Sequence, residues 1–384
     1  MSDEPVCTPT PVRPFRLPTW LPILFVLAAW GFSRCAPLPT PTTLSPAPAA
    51  SLILLDWEDD VPPEILQGFT AETGIPVELR HYYTVEEARQ RLLEGEPCDL
   101  AIISNEQVPA LIRAERLLPL DLTRVPNFRY IAPAFRDLVI DPGNRYSVPY
   151  SWGTTGLVYR PERVPQPPQR WADLWEPAYG GRIFLWDDPR TVIGLTLKAL
   201  GYSANTADLQ ALQIAALKLR QLAALPPVPY QPEALGEALR QEQAWVAVAW
   251  VGDYILARQA LPDLVYALPA EGTLLWMEHY VIPRGARYPE AALRLLNYLL
   301  RPEISAQITT RSLWATANEA SWSQVHLEPE LQALIFPPAE ALSNAELTLP
   351  LSPEAEMTYN QIWEQFLRDR STSAPTPSAS PAPR

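Results

Sequence analysis

The apolar positions of this chain come in short unbroken runs separated by stretches of helical spacing. Residues 51–55 (SLILL) form the first run, short and apolar enough for a strand covered on both faces. Pro62 and Pro63 then open residues 64–73, where apolar positions recur at helical spacing until Gly74 stops them. Residues 77–80 predict a second strand. Thr84 with Glu87 is a capping box at the head of a helix over 84–93, and 99–103 (DLAII) is another buried strand. This part of the chain reads β-α-β-α-β. The alternation continues with strands at 182–185 and 245–249, and with helices over 191–200, 206–222 and 289–300, the last halted at Arg301-Pro302. A closing helix is expected over 353–368. Such alternation predicts an α/β fold, and 384 residues suffice for two lobes of ordinary domain size.

The two ends follow other rules. Arg13 and Arg16 precede an apolar stretch, 20–32, of 13 residues. That length fits the h-region of an export signal and falls short of the roughly 20 residues of a membrane-spanning helix. Cys35 follows directly, and 36–50 (APLPTPTTLSPAPAA) is a Pro/Thr/Ser/Ala tether. The spacing resembles a lipobox with Cys35 as the acylated residue, although Arg34 and Phe32 stand where a small residue and a leucine are usual. Acylation at Cys35, an uncleaved signal anchor, and cleavage that leaves Cys35 free all place the body outside the cytoplasm. The expected segments are a signal peptide over 1–34, a tether over 35–50 and a Pro/Ala/Ser-rich disordered tail over 371–384.

Charge and cysteine content narrow the classes. Lys and Arg total 30 against 43 Asp and Glu, a formal net charge of −13, and loss of residues 1–34 with their three Arg and two acids leaves −14. That balance argues against a nucleic-acid partner and is compatible with a cationic ligand. Only Cys98 lies in the body, so no disulfide framework holds the fold. His81, His279 and His326 are scattered without ligand spacing, so neither a metal nor a cofactor is expected.

Three segments pair tryptophan with carboxylates: Asp56-Trp57-Glu58-Asp59-Asp60, Trp186-Asp187-Asp188 and Trp276-Met277-Glu278. An indole face attracts a cation or covers a methylene chain, and a carboxylate accepts hydrogen bonds from an ammonium, so together they suit an organic polycation. In open α/β sheets ligands bind outside the carboxyl ends of strands. Asp56 to Asp60 follow the first strand, Ser104-Asn105-Glu106 the third, Trp186-Asp187-Asp188 the 182–185 strand, and Trp250 ends the 245–249 run.

Several blocks, in order from about Leu52 to Arg368, resemble the periplasmic spermidine/putrescine-binding proteins of ABC transporters. They are Asp56-Trp57 with Val61-Pro62-Pro63, Tyr146-Ser147-Val148-Pro149-Tyr150 with Trp152-Gly153, and Trp171-Ala172-Asp173-Leu174-Trp175. Asp187-Asp188, Leu200-Gly201-Tyr202-Ser203, Trp276-Met277 and Leu299-Leu300-Arg301-Pro302 continue the series. The resemblance implies a type II periplasmic-binding fold, two α/β lobes joined by crossing hinge strands that close on ligand. By carry-over the first lobe is 51–153 plus 277–322 and the second 154–276 plus 323–370.

In that family, aromatic rings sandwich the polyamine methylenes and acids bind its amines. Position by position, the resemblance assigns Trp57, Trp250 and Trp276 to the aromatic sites, and Asp59, Asp188 and Glu278 to the acids. Ser104 falls on a retained serine. Glu106 and Trp314 stand in place of tyrosines at two further ligand positions. Other departures are Thr191 for an ammonium-binding glutamate, Asp60 for a tyrosine and Leu349 for a glutamine. Glu58, Asp60, Glu106, Asp187 and Asp253 are the weaker acids, since an extra acid beside a ligand residue is commonly exposed, and Trp152, Trp171 and Trp175 are expected to pack or to form the hinge.

The function implied is that of an extracytoplasmic solute-binding receptor of an ABC importer, periplasmic and anchored through Cys35 at the outer face of the inner membrane. It would capture a spermidine- or putrescine-like cation and present it to a membrane permease, as a monomer and not as an enzyme. Thr191 and Leu349 keep open a ligand sensor of the same fold or a receptor for a different cation. A secreted glycoside hydrolase with paired carboxylates is the remaining class, though no local acid/base motif singles out a pair.

Overall fold

The computed structural model describes residues 51–58, 60–225 and 235–373. The leader, the tether with Cys35, Asp59 and residues 374–384 lie outside the described residues. The first unit follows the apolar pattern: β1 (Leu52–Trp57), α1 (Pro63–Thr73), β2 (Val77–Tyr82), α2 (Val85–Glu94) and β3 (Leu100–Ser104). Gly74, at φ 72°, ends α1 in the left-handed region that a side chain resists. Thr84 Oγ1 accepts from the Glu87 N–H at 3.1 Å, as the capping box predicts, while the Glu87 carboxylate reaches back to the Tyr83 N–H at 2.9 Å. After α3 (Val108–Arg113) and a series of short 3-10 turns comes the long β4 (Ser147–Tyr159).

The second unit holds β5 (Ile183–Phe184), α4 (Pro189–Ala199), α5 (Leu209–Ala223), α6 (Leu235–Arg240), β6 (Val246–Trp250) and α7 (Val251–Ala260). Helix α5 begins later than the expected 206 because Asp208 is its N-cap, accepting from the Gln210 N–H at 3.1 Å. The chain continues through β7 (Val265–Ala267), β8 (Leu274–Val281), α8 (Pro289–Leu299), α9 (Pro302–Ser312) and β9 (Ala315–Thr316). It ends with α10 (Pro329–Ile335), β10 (Glu346–Leu347) and α11 (Pro353–Ser373). Pro302, expected as a stop, is also the first residue of the next helix, a position where its missing N–H costs nothing. No helix among the described residues is long and apolar enough to cross a membrane.

One sheet path runs β2-β1-β3-β8-β4-β6-β5, with β10 on β8 and with β7 and β9 on β4. β2, β1 and β3 are parallel to one another, as are β5 and β6. Antiparallel pairings through β8 and β4 join the two groups. Register fixes how the groups face. β3 ends with Ser104 at the level of Ser151 on β4, and β6, running the other way, ends with Trp250 at the level of Thr155. The carboxyl ends of both groups therefore point at the same stretch of β4.

Burial follows from this arrangement. Leu52, Leu54, Phe69, Ile102, Tyr280 and Leu296 belong to one apolar cluster, and Trp171, Val192, Leu212, Val248 and Trp363 to a second. Ile53, Leu55, Ala101 and Ile103 form a third on the opposite face of β1 and β3. All of β4 is buried, and its neighbours Leu157 and Val158 serve the second and first clusters respectively.

Candidate functional site

Directly opposed residues of antiparallel strands point to one face of the sheet, and residues two apart along a strand share that face. Ser104 opposes Glu278, which opposes Ser151; Trp276 opposes Gly153; Trp250 opposes Thr155. Ser104, Glu278, Ser151, Trp276 and Trp250 thus rise from one face. They line a stretch of about 13 Å between the two sets of strand ends, at roughly 3.3 Å per residue from Ser151 to Thr155.

The indoles of this stripe are held in pairs. Trp276 meets Trp314 edge to face at 5.0 Å and 86°, and Trp250 stacks on Trp186 at 5.4 Å and 11°. Two glycines make room. A Cβ on Gly153 would stand 2.4 Å from Cζ2 of Trp276, and one on Gly252 would stand 2.4 Å from Cζ3 of Trp314. Trp57 tilts against Tyr82 at 4.7 Å between ring centroids. Trp186, noted in the sequence beside Asp187 and Asp188 but not assigned to the site, covers one face of Trp250.

Carboxylates gather at the β1/β3 end. Glu278 is 7% exposed and Asp60 4%. Glu278 lies near Trp57, whose indole N–H favours the carboxylate, and near enough to Asp60 and Glu106 to feel both charges. Burial, reinforced by those neighbours, pushes the Glu278 carboxyl well above its ordinary range, and burial alone raises Asp60 to about 7. Asp60 Oδ2, Glu278 Oε2 and Ser151 Oγ have no hydrogen-bond partner among the described residues. The expected exposure of Asp60 is thereby corrected: Val61, buried at 1%, and the start of α1 carry it inward. Asp253, in the first turn of α7, is half-buried rather than exposed, and burial raises its carboxyl to about 7.

On the facing side, Asp188 is the N-cap of α4. Its Oδ1 accepts from the Arg190 N–H at 2.9 Å and the Thr191 N–H at 3.3 Å, and its Oδ2 from Thr191 Oγ1 at 2.6 Å. Arg190 reaches across to Glu106, Nε to Oε2 at 3.6 Å, and burial opposed by that guanidinium leaves the Glu106 carboxyl at about 7. Asp187 turns away, accepting from Trp363 Nε1 at 3.0 Å. Leu349 enters through its backbone, its carbonyl taking Arg190 Nη2 at 2.8 Å and its N–H donating to Asn205 at 2.7 Å.

The structure therefore groups Trp57, Ser104, Glu106 and Glu278 at one end, Trp276 and Trp314 in the middle, and Asp188 and Trp250 toward the other. Asp59 lies outside the described residues. Asp60, Ser151, Trp186 and Arg190 join the group without having been chosen from sequence. Buried carboxylates with open oxygens between indole walls can bind an organic cation, because an ammonium offsets the several kcal/mol that a buried anion costs.

Comparison with known proteins identifies the family and the fold. Residues 64–332 match the family described as bacterial extracellular solute-binding protein. The spermidine/putrescine-binding periplasmic protein of Escherichia coli (strain K12) is 32% identical over 300 residues, which is 77% of this chain and 86% of that protein. A putrescine/cadaverine-binding protein of Pseudomonas aeruginosa is 29% identical, over 83% of this chain and 94% of the other. Among solved structures, a spermidine/putrescine ABC transporter substrate-binding protein from Streptococcus pneumoniae superposes with a TM-score of 0.74 at 29% identity, covering 84% of this chain and 100% of that one. These relatives are solute-binding proteins of transport systems rather than enzymes, and the fold they share with this chain is the type II periplasmic-binding fold. The chain belongs to the bacterial extracellular solute-binding proteins, in the group of the spermidine/putrescine-binding periplasmic proteins.

Proposed function

We propose that this protein captures a polyamine or related organic diamine between two lobes and delivers it to the permease of an ABC importer. The observation that carries the proposal is the buried pair of carboxylates Glu278 and Asp60, with the half-buried Glu106 near Glu278, walled by tryptophans and set where two groups of strand ends face each other. Glu278 and Asp188, with Asp59, take the ammonium groups, Ser104 and Glu106 complete the first end, and Trp57, Trp250, Trp276 and Trp314 pack along the methylenes. The lobes are 51–153 with 277–322 and 154–276 with 323–370, and closure is selected by contacts to both. Binding, not bond-breaking, is its whole task. The chain acts as a periplasmic monomer, tethered through an acylated Cys35 to the outer face of the inner membrane.

Calorimetric titration of the purified protein with putrescine, spermidine, spermine and monoamines tests this. A preference for at least a diamine, lost in Glu278→Gln, is the expected result. Silence toward every amine overturns the proposal.

A further inference from the structure

Resting on that reading, and on its tether over 35–50 in particular, we propose that the pole of the first lobe opposite the cleft docks on anionic phospholipid headgroups. The chain is acidic as a whole, yet residues 108–153 and 279–322 hold eleven Arg against seven Asp and Glu, a net +4, while the rest of the chain carries −17. The two segments adjoin, Leu117 bridging Pro283 and Asn127 bonding Asn297. Register sets where part of this charge lies. β8 leaves the cleft at Glu278, opposite Ser104, and ends at Val281, opposite Ala101 near the amino end of β3. Just beyond, the Arg284 N–H donates to the Arg116 carbonyl at 2.7 Å and Arg284 Nε to the Glu115 carbonyl at 2.6 Å. Arg113 ends α3 three positions before Arg116. Arg287 Nη2 donates to the Ser51 carbonyl at 3.4 Å, and the Leu120 N–H to the Arg145 carbonyl at 2.7 Å. Arg113, Arg116, Arg284 and Arg287, with Arg145 at their edge, thus gather at the pole where Ser51 leads into β1.

All five arginines are exposed, and among the described residues only Arg287 of the five forms an ion pair, with the buried Asp99 at 3.8 Å. Asp99 spends its oxygens on the N–H groups of Ile53, Arg287 and Tyr288. Glu94, Glu115 and Asp121 are the exposed acids nearest along the chain, and two of them are engaged locally, Glu94 by Gln90 at 2.8 Å and Asp121 by Thr123 at 2.6 Å. The patch therefore keeps an excess of positive charge. Guanidinium groups take phosphate oxygens in a two-pronged fork. Arg145 lies over Tyr146 at 5.3 Å and Arg287 over Tyr288 at 5.5 Å, pairing a cation with a ring of the kind that settles at headgroup level. Attraction through solution fades within about 8 Å at physiological salt, whereas the fifteen residues 36–50 reach at most about 54 Å. The tether supplies proximity and the arginines supply contact. The cleft, at the other pole of the lobe, then faces away from the bilayer.

The test mixes the full chain with phosphatidylcholine vesicles that contain or lack phosphatidylglycerol, and follows both association and amide hydrogen exchange. One variant combines Arg113→Gln, Arg116→Gln and Arg284→Gln. A control makes the same change of charge at exposed arginines of the second lobe, Arg220→Gln, Arg240→Gln and Arg368→Gln. Each arginine beside an anionic surface corresponds to roughly fivefold in affinity, so the patch variant should lose about a hundredfold in association with phosphatidylglycerol vesicles and the control less than about tenfold. Exchange at residues 113–117 and 284–287 of the wild type should slow on phosphatidylglycerol vesicles only, and recover in high salt. Putrescine affinity by calorimetry should be equal in the patch variant and the wild type, which also shows that the variant folds. Equal protection on both vesicles, or unchanged association of the patch variant, overturns the proposal, and protection on neither overturns it in favour of an acidic protein partner. A wild type that associates with neither vesicle overturns tether and patch together; one that docks on phosphatidylglycerol yet binds no amine overturns the receptor reading alone.

Discussion

Arg190 and Glu106 face each other with Nε 3.6 Å from Oε2, and the same guanidinium donates to the Leu349 carbonyl and to Asn205 while lying 4.9 Å over the ring of Tyr359. The pair joins the segment after β3 to the first turn of α4, so it ties together the two groups of strand ends. Breaking it from the cationic side leaves a mostly buried carboxylate without its partner. Arg190→Gln should lower unfolding stability by about 3 kcal/mol, and Glu106→Gln by less, since an amide dipole still faces the guanidinium and no anion is left unpaired. Chemical denaturation of the two variants and of the double variant measures the coupling; equal stability in all of them would show that the pair adds nothing.

Gly153 decides where Trp276 lies. A methyl group there would sit 2.4 Å from the indole, far inside contact distance. Gly153→Ala should keep the secondary structure, shift the tryptophan fluorescence and weaken putrescine binding by roughly tenfold, about 1.4 kcal/mol. Unaltered affinity in a folded variant means that Trp276 does not pack on the ligand.

Asp188 allows its two roles to be separated. As the N-cap it accepts two backbone N–H groups and the Thr191 hydroxyl, so Asp188→Ala should cost about 1 kcal/mol of stability. Asp188→Asn keeps a cap but removes the charge. A melting temperature near wild type with at least about tenfold weaker diamine binding is expected of the asparagine variant; wild-type affinity would reduce Asp188 to a cap.

The raised carboxyls give ligand binding and stability opposite responses to pH. Burial lifts Asp60 from 3.8 to about 7, and Glu278 and Glu106 shift in the same direction. Between those limits the folded, ligand-free protein holds protons that the unfolded chain has released. The resulting stabilisation is complete below the unfolded value and is lost as pH rises through about 7. His279 contributes the reverse slope: buried and lowered from 6.5 to about 3, it stabilises the fold above 6.5 and loses that effect as pH falls toward 3. Denaturation at pH 5 to 8 should show a stability decline toward alkaline pH that Asp60→Asn flattens. Putrescine needs the ionised carboxylates, so its affinity should rise over the same interval by up to about tenfold per unit for each proton displaced. A flat affinity profile would contradict the raised carboxyls.

Elements whose causes are local were legible in the sequence: the cap of α2 from Thr84, the stop at Gly74, and the buried runs of β1 and β3. Placing Trp57 and Trp250 at strand ends needed only the strand pattern, whereas Trp276, inside β8, was reached through the resemblance. Asp60 was misread because its burial depends on residues of distant strands, such as Tyr150, whose Oη donates to the Asp60 carbonyl, and no neighbour along the chain announces them. Ser151 was invisible for a related reason. It lies in β4, buried at every position, and gains meaning only from the register that sets it opposite Glu278. Arg190 carries no local sign of its reach to Glu106, 84 positions away along the chain.

The adjacent residues Leu157 and Val158 belong to different apolar clusters, although one peptide bond joins them. Neither cluster can lose its order without disturbing the backbone on which the other rests. Heating should therefore melt the two parts of the molecule together, in a single calorimetric transition. The strand that lets the two sets of site residues face each other also makes the protein thermodynamically indivisible.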